Sequence, residues 1–226
     1  MKKTLTISGY RRPDYFQRVL TALSFCSGIS EYAITAVLDP SEWTDQLADI
    51  ASRHGHIVHI PPQHLGCGAA IRYCMDLGFE ASAYHVHLED DTVPSPDALR
   101  WFEWAGRNAS PMTMTVSGYN HHGDGAAPNA AGWRRWFHPW GWATWREHWE
   151  KHLRPAWDTG AWDAGILRVM DNVAGGMGEV FPHVSRIQNI GATRGTFCPS
   201  EDFHRANHHA TRVAGPEDKT ERWNWT

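Results

Sequence analysis

Long apolar runs are missing from these 226 residues. No stretch approaches the ~18 consecutive apolar residues of a membrane helix. The opening Met1-Lys2-Lys3-Thr4-Leu5-Thr6-Ile7 lacks the apolar centre of a secretory signal and reads as a strand. No membrane association is expected. Cysteine is scarce: Cys26, Cys67, Cys74 and Cys198 form no Cys-x-x-Cys pair and are too few to staple a chain of this length. Reduced thiols in a cytoplasmic protein are therefore expected. A strong excess of one charge is also lacking. The 21 Lys+Arg against 25 Asp+Glu give a formal net charge of −4, which argues against a surface that grips polyphosphate everywhere but leaves room for a local basic groove. Internal repeats, low-complexity tracts and long linkers are absent, and nothing in the chain points to a protein partner. The length then suits one compact domain of two lobes, 1–110 and 111–226.

Tryptophan and histidine are in excess, at thirteen and fifteen residues. Ten of the tryptophans lie at or beyond Trp133, so the chain changes character near residue 110.

Residues 1–110 alternate strand and helix. Leu5 and Ile7 sit in a strand ending at Ser8-Gly9-Tyr10, and Pro13 opens a helix with Tyr15, Phe16, Val19, Leu20 and Leu23 on one face. A strand over Tyr32 to Leu38 ends at Asp39-Pro40. Ser41 then caps a helix whose inner face is Trp43, Leu47, Ile50 and Ala51. A third strand, His56 to Ile60, stops at Pro61-Pro62, and Gly66-Cys67-Gly68 leads into a helix with Ala69, Ala70, Tyr73, Cys74 and Leu77 inward. A fourth strand, Tyr84 to Leu88, runs into Glu89-Asp90-Asp91. Ser95-Pro96-Asp97 supplies a cap, a first-turn proline and an acid for the next helix. Four such units predict an α/β fold with a mostly parallel sheet flanked by helices. Ligands of such sheets bind beyond the carboxyl ends of the strands, where every distinctive segment falls. Beyond a fifth strand, Met112 to Ser117, the polar stretch Tyr119–Gly132 reads as a loop long enough to act as a lid.

Adjacent carboxylates at a strand end repel one another unless a cation sits among them, so Glu89-Asp90-Asp91 suits a divalent metal that also neutralises a diphosphate; the plain alternative is a solvated acidic turn. Arg11 and Arg12 suit a phosphate, or are surface arginines. Asp39 can accept from a ribose hydroxyl or base N–H, or merely begin the next helix. Gly66-x-Gly68 follows the third strand and lacks a dinucleotide fingerprint, which leaves close backbone approach to a ligand. His54, His56 and His59 lie in or beside one strand, and His204 and His208 have helical spacing, but neither group has the pattern of a zinc site. Trp142, Trp145 and Trp149 at i, i+3, i+7 would form one packed helical stripe. Trp140 and Trp142, flanking Gly141, could instead stack on a sugar or base.

The segments TISGYRRPDYFQRVLTAL, HLEDDTVPSPDAL, WGWATWREHW, AWDTGAWDAG and PHVSRIQNIG occur in an order that resembles the GT-A glycosyltransferases, nearest the N-acetylglucosaminyltransferase I type and bacterial family-two-like enzymes. The resemblance covers most of residues 4–197. It implies a GT-A fold with a Trp-rich acceptor lobe, a nucleotide-diphospho-sugar donor (a UDP-sugar first), Mn²⁺ or Mg²⁺, and inversion at the anomeric carbon. It implies metal binding by Asp91, with His204 as a possible extra ligand. Donor contacts would come from Ser8, Tyr10, Arg11, Arg12, Asp39, His64, Gly66, Arg72, Glu89 and Asp90. The base falls at Asp163, with Asp158 second, and acceptor contacts at Trp140 and Trp142. Where bacterial relatives often carry Gly-Thr-His, this chain has Gly195-Thr196-Phe197, and the paired acids of the N-acetylglucosaminyltransferase I stretch are not kept around Asp163.

The acceptor would be a saccharide or small molecule, or a hydroxymethylated DNA base. Six Lys/Arg against three acids over residues 105–155, interleaved with aromatics, would suit a phosphate backbone. A non-catalytic carbohydrate-binding protein would use the tryptophans without the acidic triplet. A sugar nucleotidyltransferase would share sheet and metal, but the glycine-rich, arginine-bearing loop after strand one is missing.

Overall fold

A computed structural model describes residues 3–173, 175–192 and 198–226. The Gly195-Thr196-Phe197 departure lies outside them. The chain runs β1 (Lys3–Gly9), α1 (Pro13–Ser24), β2 (Tyr32–Leu38), α2 (Thr44–Arg53), β3 (Ile57–His59), α3 (Cys67–Ala81), β4 (Tyr84–Glu89), β5 (Thr92–Pro94), α4 (Ala98–Asn108) and β6 (Thr113–Ser117). It continues with β7 (Ala130–Arg134), β8 (Trp142–Trp145), α5 (Arg146–His148, extended by a π turn to Leu153), α6 (Trp162–Asn172), β9 (Gly178–Pro182), β10 (Ile187–Asn189), α7 (Glu201–Asn207) and β11 (Asn224–Trp225). Nine strands form one sheet in the order β11-β7-β9-β6-β8-β4-β1-β2-β3, and β10 pairs with β5 in a small second sheet. The β3-β2-β1-β4 half is parallel, as the βα alternation predicts; β8 then runs antiparallel to both β4 and β6. The large sheet crosses residue 110 without a break.

The first helix forms as its spacing dictates: Pro13 occupies its first turn, and Tyr15, Phe16, Val19, Leu20 and Leu23 are buried. Elsewhere tertiary contacts move the expected boundaries. Helix α2 begins two residues late, because Ser41 closes a turn with Thr44 instead of capping, and Trp43 is exposed. Helix α3 is rolled so that Ala70, Ile71, Cys74, Met75 and Phe79 face inward while Ala69, Tyr73 and Leu77 are only half-buried. Helix α4 starts at Ala98, so Ser95 does not cap it, Pro96 lies outside its first turn, and Asp97 takes the cap position without a capping bond. Its carboxylate is 2.9 Å from Arg186 Nε in a fully buried ion pair and accepts from Ser95 Oγ.

The expected Trp142/Trp145/Trp149 helical stripe does not form, because Trp142 and Trp145 lie on a strand, whose period of two places them on opposite faces. Trp142 and Trp149 instead join Phe137, Trp162, Met170 and Met177 in a second core under α3. Tyr119–Gly132 is not a free lid. Tyr119 is fully buried, Asn120 Nδ2 donates to the carbonyls of His122 and His183, Arg212 holds the Ala126 carbonyl, and Ala130 begins β7.

Beneath the carboxyl ends lies a buried polar ladder. Thr4 Oγ1 and Thr6 Oγ1 are each 2.8 Å from a ring nitrogen of His85, and Thr6 Oγ1 is 3.2 Å from His87 Nδ1. Burial pushes both imidazoles down to about 3, so they are neutral at neutral pH.

Candidate active site

The chain leaves β1 for β2 and β3 on one side and returns to add β4 on the other. Strand order therefore reverses between β1 and β4, and their carboxyl ends open a crevice of the kind that holds ligands in open α/β sheets. Ser8 of β1 is in register with Glu89 of β4, so Gly9–Arg12 and Glu89–Asp91 leave the sheet side by side.

The acidic triplet is not solvated: Asp90 and Asp91 are buried and Glu89 nearly so. Burial pushes the Glu89 carboxyl well above its usual range, Asp91 and Asp90 push it further, and Arg12 opposes them. Burial also raises Asp90, while Arg12 and the Tyr10 N–H, 3.0 Å away, pull it back. The cation among these carboxylates is the Arg12 guanidinium. It makes a very short contact with Asp90 Oδ1, and its Nη1 lies 2.7 Å from Asp91 Oδ2. Burial works against that charge, but Asp90 and Asp91 outweigh it and hold the arginine more firmly protonated. Arg12, expected to face a phosphate, is thus committed to the protein's own acids. Arg11 remains outward, with φ of 57°, its guanidinium 4.9 Å from the Tyr10 ring centre and its Nε 3.1 Å from Glu42.

Asp39 is also turned inward. Its carboxylate accepts from the backbone N–H of Leu65 (2.7 Å) and Gly66 (3.0 Å) and lies 2.8 Å from His64 Nδ1. Its role here is to close the 64–66 turn, where Gly66 takes φ of 80°. The turn stacks the exposed His64 ring on Tyr10, 4.9 Å between centres, as an aromatic ledge beside Arg11. Arg72, on α3, is 3.9 Å from Asp76 one turn on and is not among the groups just described.

On the other flank, β10 pairs with β5 so that Asn189 faces Thr92, and the Ile190 N–H donates to the Asp91 carbonyl. Asn189 Oδ1 accepts from the Gly191 N–H (2.9 Å) and from His204 Nε2 (2.8 Å). A Cβ on Gly191 would collide with Asp91 Oδ2, so glycine there lets the carboxylate sit against the chain. Among the described residues no group of three or more His, Cys, Asp or Glu side chains is placed to hold a metal ion. The donor chemistry nevertheless fits a hard cation: Asp91 offers carboxylate oxygen with two more acids adjacent, and Mg²⁺-type ions are held by one or two carboxylates completed by phosphate and water. His204, expected as a further ligand, has Nε2 engaged by Asn189.

Asp163 stands in the first turn of α6 and contributes to the electrostatic field at Glu89. It is exposed rather than buried, and its Oδ1 accepts from the Ala164 N–H. Asp158 is exposed, accepts from the Gly160 N–H at 3.0 Å and pairs with Arg168 at 3.4 Å, which makes it part of the turn leading to α6. That turn is seated on α3. Trp157 Nε1 donates to the Gly68 carbonyl, and a Cβ on Gly68 would collide with the Thr159 carbonyl oxygen. The close approach expected of Gly68 is therefore to the chain itself. Cys67, at the exposed start of α3, lies within electrostatic reach of the triplet, whose negative charges disfavour its thiolate.

Trp142 has no exposed surface, which corrects its expected acceptor role: the indole is sealed in the second core. Trp140 is half-buried among Tyr119, His138 and His208, with ring centres 4.6, 5.7 and 4.6 Å away. Three of the six basic residues of the stretch 105–155 are paired within the chain. Arg134 pairs with buried Glu179 at 2.7 Å, Arg154 with Asp76 at 2.9 Å, and Arg107 with Glu103 at 3.8 Å, all acids outside that stretch.

No protein-family model and no curated protein sequence matches this chain. Solved structures do. The mannosyltransferase PcManGT of Pyrobaculum calidifontis, in complex with GDP-Man and Mn²⁺, superposes with a TM-score of 0.62 at 16% identity over 86% of this chain and 58% of its own. Glucosyl-3-phosphoglycerate synthase of Mycobacterium tuberculosis, in complex with Mn²⁺, UDP and glucosyl-3-phosphoglycerate, gives 0.55 at 13% identity over 83% of this chain and 71% of its own. This chain thus spans little more than half the length of the mannosyltransferase. Among the described residues no helix is long and apolar enough to cross a membrane. The mixed sheet, the reversal between β1 and β4 and the acidic segment at that reversal give this chain the GT-A fold of nucleotide-sugar glycosyltransferases.

Proposed function

We propose that the protein is a metal-dependent, inverting glycosyltransferase that moves a sugar from a nucleotide-diphospho-sugar to the hydroxyl of a saccharide or small molecule. The observation that carries this reading is the buried acidic triplet at the strand-order reversal, flanked by an aromatic ledge and an arginine. The folds it resembles were solved with a nucleotide or nucleotide-sugar and Mn²⁺, which supports the same donor class here. Tyr10 and His64 offer a flat surface for a base, a UDP-sugar being the first donor to try, and Arg11 lies beside them for the diphosphate. A divalent ion held by Asp91, with Glu89 and Asp90 behind it, would supply charge neutralisation for the departing nucleoside diphosphate. Asp163 is assigned the base. Its carboxylate takes the proton of the acceptor hydroxyl as that oxygen bonds to the anomeric carbon and the bond to the donor phosphate breaks. Pairing of three of the six basic side chains of residues 105–155 with acids outside that stretch favours an uncharged saccharide or small acceptor over duplex DNA.

The test is a panel of UDP- and GDP-sugars with Mn²⁺ and varied acceptors, read as nucleoside diphosphate release. Donor-specific release that rises with a saccharide is expected. Pyrophosphate release would reassign the protein as a nucleotidyltransferase, and metal-independent sugar binding without turnover would make it a binding protein.

A further inference from the structure

A second use of Arg12 follows from its geometry and rests on the metal-dependent reading above. The guanidinium bridges two of the three acids: two nitrogens reach Asp90, while Nη1 lies 2.7 Å from Asp91 Oδ2. All three side chains are largely sequestered, with 16%, 4% and 11% of their surface exposed for Arg12, Asp90 and Asp91. The stem is anchored at the start of α1, where the Arg12 carbonyl accepts the Phe16 N–H and the guanidinium lies 5.7 Å from the Tyr15 ring centre. Three acids this crowded and this dry are destabilising without a counter-charge, since desolvation strengthens their mutual repulsion. Arg12 provides that counter-charge from within the chain.

We infer that Arg12 is a resident counter-ion: it holds the acidic triplet together in the metal-free protein and competes with a divalent cation for Asp91. Two positive charges cannot both sit at hydrogen-bonding range of one carboxylate oxygen without strong repulsion, so entry of the ion weakens the Arg12–Asp91 contact. The Asp90 contacts, made by the other arm of the guanidinium, need not break. By linkage, whatever weakens the arginine strengthens the ion, and the reverse. Metal affinity of the isolated protein is then set partly by a side chain that never ligates the metal.

The experiment is calorimetric titration of Mn²⁺ into the full chain as wild type, Arg12→Gln and Arg12→Lys, with melting temperatures measured in EDTA and in Mn²⁺. Arg12→Gln is expected to bind Mn²⁺ at least ten-fold more tightly than wild type. It should also melt lower in EDTA and recover more of its loss when Mn²⁺ is added. Arg12→Lys, which keeps a charge but not the fork that spans both acids, should fall between the two and carries the comparison should the Gln variant not fold. Equal or weaker Mn²⁺ binding in the variants would overturn the inference and recast Arg12 as a residue that organises the ligands. Folded wild type and variants that all fail to bind Mn²⁺ would instead remove the metal-dependent part of the proposed function, and this inference with it.

Discussion

His64 Nδ1 lies 2.8 Å from Asp39 Oδ2, and the same carboxylate accepts the backbone N–H groups of the two residues that follow His64. One buried acid after β2 thus sets the shape of the turn before α3 and the orientation of the ring that stacks on Tyr10.

Replacing Asp39 with Ala leaves two backbone donors and a ring nitrogen without their acceptor. Unsatisfied groups cost about 1–3 kcal/mol each when they stay buried, and part of this turn is open to water. A loss of about 2–4 kcal/mol in chemical denaturation is expected, with weaker donor binding because the His64–Tyr10 ledge is no longer held. Unchanged stability would show that the turn holds without its acid.

Transfer and donor binding separate at Asp163. Asp163→Asn removes the proposed proton acceptor without touching Arg12, Asp90 or Asp91. Turnover should fall by roughly 10²-fold or more while the donor dissociation constant stays within about two-fold of wild type. Parallel loss of both would make Asp163 a structural residue of the α6 first turn.

Gly68→Ala probes the same turn from the other side. The added methyl meets the Thr159 carbonyl, so the 157–163 segment must shift away from α3. The expected result is a fall in kcat larger than the change in melting temperature can account for. Retention of full kcat would mean that the position of this segment does not matter for transfer.

Acid sensitivity is expected from His85 and His87. Both imidazoles are held neutral by burial and titrate at about 3 in the folded protein, against 6.5 as their ordinary value. The unfolded chain therefore binds protons that the folded chain refuses. Their contribution is complete above pH 6.5 and declines as pH falls toward 3, by about 2 kcal/mol per ring at pH 5. Glu179, raised to about 7 by burial, acts in the opposite direction over part of this range. The comparison of wild type with His87→Phe cancels that term. The variant should lose about 2 kcal/mol less than wild type between pH 7 and pH 5 in urea titrations, and identical pH slopes would refute the assignment.

Trp142→Ala should behave as a core deletion, costing about 3–5 kcal/mol with a correspondingly lower melting temperature. An acceptor-specific rise in KM with normal stability would restore the surface role that burial argues against.

Much of the first hundred residues was legible because βα units carry two clean periods. The face of α1, the limits of β2 and the placing of the acidic triplet at the end of β4 follow from spacing and turn residues alone. Reading failed where a side chain had two possible partners. Ser95 and Asp97 have the composition of a cap and a first-turn acid, yet the helix starts only at Ala98, and Arg186, nearly ninety residues away, takes the Asp97 carboxylate. Asp39 and Arg12 have the chemistry of ligand contacts, yet each is engaged by the chain's own groups. The Trp-rich run has helical spacing, but pairing with β4 and β6 draws its first half into the sheet.

Local alternation of apolar residues and the turn chemistry between them were enough to dictate the parallel β3-β2-β1-β4 half of the sheet with acids and arginines gathered at its carboxyl edge, because both signals act within a few residues. Which of those charges face a ligand and which neutralise one another was decided only in three dimensions. Ion pairing depends on distances between residues such as Arg12 and Asp91, nearly eighty positions apart, that no local pattern encodes.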